Sequence, residues 1–221
     1  MRLTIFAATG GIGGHLVEQG LEEGHEITAA VRNPDKLRHH VPAVTVDLEH
    51  PDPGAMEVAI KDSDAVLSAL GPRAKHEWGI VTRGTKSIVD AMEKTDVRRL
   101  LVVSGAGISV VPTPTRPNPP KREPGAGVLN RYFNTPLAKL VLGEHFVDVA
   151  MMEDVLRSSG LDWTAVRAPL LTDQPLTGTY RTAFGHNVPN SFRCARADVA
   201  HFMLRALEMP ETIGQAVAVA Y

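Results

Sequence analysis

The sequence predicts an α/β protein built as a single domain on a doubly wound parallel sheet. Three observations predict it. Short apolar runs of strand length recur at 3–8, 26–31, 43–46, 65–70 and 100–103, each bounded by turn residues. The stretches between them repeat their apolar residues at three and four, the helical period. Strand and helix alternate throughout, which favours parallel pairing because parallel strands need crossover connections.

The first run, Leu3 to Ala8, is continuous rather than alternating, as a strand buried on both faces should be. It stops at Thr9-Gly10-Gly11; Ile12, Leu16 and Gly20 then fall four apart, with Val17 and Leu21 beside them, and Gly24 closes the helix. Glu26 to Val31 is a second strand ending at Arg32-Asn33-Pro34, so residues 1–32 form one βαβ unit. A third strand, Ala43 to Val46, ends at Asp47; a short helix follows near Met56 to Ile60, then a fourth strand, Ala65 to Leu70, ending at Gly71-Pro72. Ile80, Gly84, Ile88 and Met92 mark a helix over 79–93, and Leu100 to Val103 a fifth strand that stops at Ser104-Gly105.

Residues 109–128 break the pattern with six prolines and three basic residues, Arg116, Lys121 and Arg122. So long a loop in a compact domain reads as a lid or an unstructured insertion. Two helical stretches, 129–142 and 145–159, come next, the second placing Phe146, Val149, Met152 and Leu156 on one stripe before Gly160. Trp163 to Val166 is a strand, a short strand is expected around Tyr180, and a last helix from about Ala197 turns Val199, Phe202, Met203, Ala206 and Leu207 to one side. Weak alternation over Ala216 to Ala220 suggests a final strand.

Composition removes several classes of function. With 221 residues, 43% of them apolar, the chain can bury a core without disulfide or metal. Its 23 Lys and Arg against 25 Asp and Glu give a net charge of −2, so nothing draws it to a nucleic-acid backbone. The single cysteine, Cys194, excludes an intrachain disulfide or a cysteine-built metal site and points to a reducing compartment. No stretch approaches the ~18 apolar residues of a membrane span, and the first apolar run is too short for a secretory segment. A cytoplasmic, unprocessed protein without membrane or nucleic-acid partners is therefore expected. None of the nine histidines has an H-x-H or H-E-x-x-H spacing, and each reads as a surface or core residue; G-x-S-x-G and G-x-x-x-x-G-K-[S/T] are both absent.

Open parallel sheets bind ligands at the carboxyl ends of their strands, which directs attention to the residues just after each strand. Thr9, Gly10, Gly11, Ile12 and Gly13 form a glycine turn opening a helix, where close-set backbone N–H groups and the positive helix end suit a phosphate. Ala7 occupies the place of the first glycine of the usual three-glycine fingerprint. Arg32 closes the second strand where NAD sites put a carboxylate, and no acid follows until Asp35, so NADP(H) is preferred, with Arg32 on the 2′-phosphate. Asp47 suits either an adenine contact or a simple cap. Leu70, Gly71 and Arg73 lie where the middle of a dinucleotide passes, and Arg73 reads as a diphosphate contact or a surface residue. Ser104 is the candidate catalytic residue, near the nicotinamide ribose or the substrate, unless it merely caps its strand.

These residues sit in segments with a known likeness. The runs AATGGIGGHLVEQGLEEGHEITAAVRNPDKL and LVVSGAG, and most specifically RSSGLDWTAVRAPLLTDQPLTGTYRTA with RADVAHFMLRAL, resemble the atypical short-chain dehydrogenase/reductases, and within them the biliverdin IXβ reductase/flavin reductase family. The likeness spans the chain except residues 109–145. It implies a Rossmann-type domain with NADP(H) over Thr9 to Gly13, adenine near Asp47 and Leu48, and Pro169, Leu170 and Leu171 beside the nicotinamide. It further implies hydride transfer to a small planar aromatic acceptor: a flavin such as FMN or FAD, a quinone-like ring or a linear tetrapyrrole. Two departures stand out: Gly105 replaces a second hydroxyl residue beside Ser104, and the helix matching 146–158 has none of the family's histidines.

Classical members of the superfamily protonate an alcohol oxygen with a Tyr-x-x-x-Lys pair. Here Tyr132 is followed at that spacing by Pro136 and Tyr180 by Phe184. Carbonyl–alcohol chemistry of that kind is disfavoured, whereas a conjugated ring accepting a hydride needs no such pair because water can supply the proton. A non-catalytic NADP(H)-binding redox sensor, docking through the basic proline-rich loop, is the alternative the sequence leaves open.

Overall fold

The computed structural model describes residues 1–72, 74, 77–123 and 135–221, without side chains for 135–142. Its main sheet has eight strands in the order β3-β2-β1-β4-β5-β6-β10-β8. These are β1 (Arg2–Phe6), β2 (Glu26–Val31), β3 (Ala43–Thr45), β4 (Ala65–Ser68), β5 (Arg99–Gly105), β6 (Asp162–Ala168), β8 (Arg181–Phe184) and β10 (Gln215–Ala220). Every neighbouring pair is parallel except β8 with β10. The chain runs outward from β1 to β3 and returns to β4 on the other side of β1, so the order reverses there. At such a switch point the loops on either side diverge and leave a crevice at the carboxyl ends.

Two helical layers cover the sheet because buried strands send alternate residues to opposite faces. On one face Leu3, Ile5, Leu67 and Leu101 pack against α1 (Gly11–Glu22) and α5 (Arg196–Arg205) through Leu16, Val17, Val199 and Met203. On the other, Phe6, Val66, Leu100 and Val102 meet α2 (Pro53–Ile60), α3 (Ile80–Thr95) and α4 (Thr135–Ser158) through Met56, Ile60, Ile88, Met92, Met152 and Leu156. At ~25 cal/mol per Å² of apolar area removed from water, this double-sided burial is the main stabilising term.

Most elements lie where their patterns placed them. The two helical stretches expected around 129–142 and 145–159 differ: from Thr135 onward they are one helix, α4. Glycine at 143 costs about 1 kcal/mol of helix propensity without ending the helix. The strand expected around Tyr180 begins one residue later, and β4 stops at Ser68, before Leu70. A second ladder, β7 (Leu170–Thr172) parallel to β9 (Arg193–Ala195), went unread because three residues carry no periodicity.

Asp148 of α4 ties the helical layer together. Its carboxylate accepts from the backbone N–H groups of Gly79, Val81 and Thr82 at 2.9–3.2 Å, capping α3 from outside that helix. The proline-rich segment is no free flap in its first half. Ile108, Val111 and Thr113 are buried, and Thr115 N–H donates to Asp154 at 3.3 Å. Residues 124–128, the rest of the expected lid, lie outside the described residues.

Candidate functional site

The turn after β1 is shaped by close backbone contact. Ala7, at the fingerprint's first glycine position, takes a left-handed φ of 57°, and its carbonyl accepts from Gly10 N–H at 2.9 Å. A Cβ on Gly13 would stand 2.2 Å from that carbonyl oxygen, so only glycine lets α1 press onto the end of β1. Thr9 and Gly10 are half-buried, Gly11 is exposed, and Ile12 and Gly13 are buried. No side chain caps α1 at Gly10, and no acid lies in its first turn. Its positive end is therefore unneutralised by its own sequence.

Two arginines flank that end. The stem of Arg196 passes over Gly11, its Cδ 2.6 Å from where a Cβ there would be, and Arg38 Nη1 lies 3.8 Å from the same point at Gly14. Arg196 pairs with Asp173 at 2.6 Å, but that carboxylate is 89% exposed, so the pair is weakly held in water. The sequence reading found neither. Arg196 sits 185 positions after Gly11 (196 − 11), and only the packing of α5 on α1 brings it there.

The other expected positions spread along the same edge. Arg32 is half-exposed, its guanidinium 4.0 Å from Glu49 and 3.9 Å from Glu77. Asp47 accepts from Glu49 N–H at 3.0 Å, the local turn that the cap reading described. Leu48 and Leu70 both close on Gly84, where a Cβ would stand 2.5 Å from Leu70 Cδ2. Gly71 is exposed beyond them, and Arg73 lies outside the described residues.

Ser104, at the end of β5, is 5% exposed and donates to Glu153 Oε1 at 2.8 Å. Glu153 is itself 1% exposed and bidentate with Arg167, at 2.8 Å from Nε and 2.6 Å from Nη2, with Arg157 Nη2 at 2.5 Å. Burial pushes this carboxyl upward, but Arg167, Arg157 and the Ser104 hydroxyl outweigh it and hold it below the ordinary range. Arg167 Nη1 donates to Ser109 Oγ at 2.8 Å, so three of the five guanidinium N–H groups are engaged. The Ser104 proton is thus directed into a buried charge network, leaving its oxygen only as an acceptor toward any ligand.

Beside this network opens a cavity of about 620 Å³. Gly105, Ala106, Gly107 and Ile108 after β5, and Ala168 to Leu171 after β6, form one side; Phe146 and Val149 of α4, with Val188 and Phe192, form others. Leu170 is 72% and Phe192 39% exposed at the rim, joined by a Leu170 N–H to Phe192 carbonyl bond of 3.2 Å in the β7–β9 region. His145 is part of this wall rather than the surface or core residue that its lack of a metal-ligand spacing implied, and burial lowers its pKa. Pro169, Leu170 and Leu171 line the cavity; Ser104 itself does not.

The two most specific motif segments hold each other. Asp198 accepts from Thr177 N–H and Oγ1, Gly178 N–H and the Tyr221 hydroxyl, while Asp173 pairs with Arg196. DQPLTG and RADVAHFMLR are thus two halves of a clasp that fixes Arg196 over α1. Tyr180 hydrogen-bonds His201 at 2.7 Å and stands outside the cavity lining, with burial pushing its pKa up to about 12.

Known proteins resemble this chain in sequence and fold. A family profile described as NAD(P)H-binding matches residues 7–210. YwnB of Bacillus subtilis, an uncharacterised protein, is 26% identical over 217 residues, covering 96% of this chain and 94% of its own. A Streptococcus pneumoniae structure described as a candidate NADH-flavin reductase is 26% identical, with a TM-score of 0.78 over 100% of this chain and 99% of that one. A Veillonella parvula short-chain dehydrogenase/reductase solved with NADP shares the fold at 20% identity and a TM-score of 0.75, covering 100% and 94% of the two chains.

Proposed function

The chain belongs to the NAD(P)H-binding family, and we propose that within it the protein is an atypical short-chain dehydrogenase/reductase that acts as an NADP(H)-dependent reductase of flavins or related planar acceptors. The observation that carries this reading is the apolar cavity of about 620 Å³ at the carboxyl ends of β5 and β6, whose lining includes Arg196, the residue that also passes over Gly11 of the glycine turn. Its apolar walls and an exposed Leu170–Phe192 rim favour burial of an aromatic ring.

The residues present fit a nicotinamide dinucleotide. The turn from Thr9 to Gly13 would take the diphosphate, with Arg196 and Arg38 neutralising it, and Arg32 the 2′-phosphate. Asp47 and Leu48 would meet the adenine, Leu70 and Gly71 the middle of the cofactor, and Pro169, Leu170 and Leu171 the nicotinamide. When bound, the cofactor supplies a hydride. The chain's own part is to hold the acceptor ring against it and exclude water with apolar walls, while Ser104 stays bound to Glu153 behind the cavity wall. Of the described tyrosines none lines the cavity, so the ring's proton is drawn from water or an imidazole rather than from a tyrosine–lysine pair.

Mixing the protein with NADPH and FMN should give loss of the reduced-nicotinamide absorbance; no turnover with flavins, quinones or biliverdin would remove the reading. Binding of NADP(H) without any turnover would instead favour the redox-sensor alternative. The lone thiol, Cys194, is buried, and burial pushes its pKa up to about 12, so it is held as the thiol at neutral pH.

Arg32→Ala tests the choice of cofactor. A charge-assisted contact to phosphate contributes about 1.5–3 kcal/mol. NADPH affinity should fall roughly 10- to 100-fold while NADH affinity stays within about threefold, read by quenching of Trp78 and Trp163 or by calorimetry. Equal losses for both cofactors would place Arg32 elsewhere.

A further inference from the structure

Five polar side chains line the cavity: His145, Arg167, Asn187, Ser191 and Arg196. Three are engaged by the protein. Arg167 is held by Glu153 and Ser109, Arg196 by Asp173, and Ser191 Oγ donates to the Val188 carbonyl at 2.7 Å. The other two are not. Asn187 Oδ1 and His145 Nδ1 are buried and have no hydrogen-bond partner among the described residues.

Buried polar atoms are satisfied in nearly all folded proteins, so two orphans on one ligand-sized cavity point to the ligand as their partner. An amide side chain presents one donor and one acceptor edge, and its complement is another amide edge. A neutral imidazole likewise offers one of each. Burial lowers the pKa of His145, favouring that neutral form. Asp148, three residues along α4, pulls the other way but less strongly, its carboxylate taken up by N–H groups of α3; Arg167 is neutralised by Glu153, and no carboxylate lines the cavity among the described residues.

We propose that Asn187 and His145 select, among planar acceptors, rings that carry an N–H beside a carbonyl, a lactam or imide edge, over rings that offer carbonyls alone. A quinone can accept a hydrogen bond from either residue, yet it has nothing to give the Asn187 oxygen and leaves that atom unsatisfied. The terminal torsion of asparagine is broad, so the amide can turn to meet a ring without moving the backbone. The loop is set for this by the Ser191–Val188 bond and by the burial of Val188.

The inference rests on the reductase reading and deepens it, and a binding measurement separates the two. Lumiflavin keeps the imide N–H; 3-methyllumiflavin differs by a methyl on that nitrogen. Quenching of flavin fluorescence, with and without NADP+, should show the wild-type protein binding lumiflavin at least about tenfold more tightly. Asn187→Leu should bring the two affinities within about threefold, whereas Asn187→Asp, which keeps an acceptor of the same shape, should retain the preference for lumiflavin. Equal affinities in the wild-type protein overturn the inference, and if NADPH still reduces either flavin the reductase reading survives. Failure of both rings to bind, with no turnover of any acceptor, overturns the reductase reading and the inference with it.

Discussion

Glu153→Leu is expected to lower the unfolding midpoint by roughly 6–20 °C. Removing one partner of a buried ion pair costs about 3–5 kcal/mol, because the other charge is left uncompensated, and each kcal/mol shifts the midpoint of a chain this size by about 2–4 °C. Arg167, 3% exposed, would lose the carboxylate that accepts two of its bonds, and Ser104 would lose the acceptor of its proton. Thermal unfolding followed by circular dichroism measures the change. The double variant Glu153→Leu/Arg167→Met should recover more than half of the loss, since it removes both charges together. A drop under about 1 kcal/mol for the single variant would show that water or a neighbouring group replaces the carboxylate.

The same pair sets an acid limit. The folded-state pKa of Glu153 lies below the ordinary 4.5, chiefly because Arg167 and Arg157 favour the anion against the opposing cost of burial. Its stabilisation is complete above that ordinary value and is lost as pH falls through the lower folded one. Acid unfolding of the wild-type protein should therefore steepen below about pH 4, and Glu153→Leu should flatten it.

Gly13→Ala should abolish dinucleotide binding and destabilise the fold by about 1–3 kcal/mol or more, the range for forcing atoms into a filled space. The three atoms nearest the added Cβ are all backbone, Ala7 O at 2.2 Å and the Ala7 carbonyl carbon and Ala8 Cα each at 2.8 Å, so no side chain can swing away to relieve the clash. Separating α1 from β1 moves the helix opening and the N–H groups that would face a diphosphate. Gly14→Ala is the matched control. Its Cβ would touch nothing closer than 3.8 Å, and alanine gains about 0.8–1 kcal/mol of helix propensity over glycine. Thermal unfolding and NADPH titration of the two variants should move in opposite directions in stability; similar behaviour would mean the turn tolerates displacement.

The glycine turn was legible because its chemistry is local: a strand, a glycine run and a helix succeed one another within about a dozen residues, and each signals itself. Arg32 was legible for the same reason, as the residue that ends a strand. Arg196 was not, because its place beside Gly11 depends on α5 packing against α1. Nor was the fate of Ser104. The spacing put it at the end of β5, but Glu153, which accepts its hydrogen bond, arrives from α4, 49 residues on. His145 was passed over because metal-ligand spacing was the only signal sought, and a histidine lining a cavity has no spacing of its own.

What the sequence determined by itself was the order of strands and helices, the parallel sheet that this order compels, and the edge of the sheet where a ligand would lie. Those follow from periodicity and turn chemistry, which act over a few residues. The tertiary structure decided which side chains meet there: the arginine laid over α1, the serine bound into a buried ion pair, and, in the cavity wall, an asparagine oxygen and a histidine nitrogen with no hydrogen-bond partner among the described residues. These depend on contacts between segments far apart in the chain, and nothing local in the sequence encodes the distance between them.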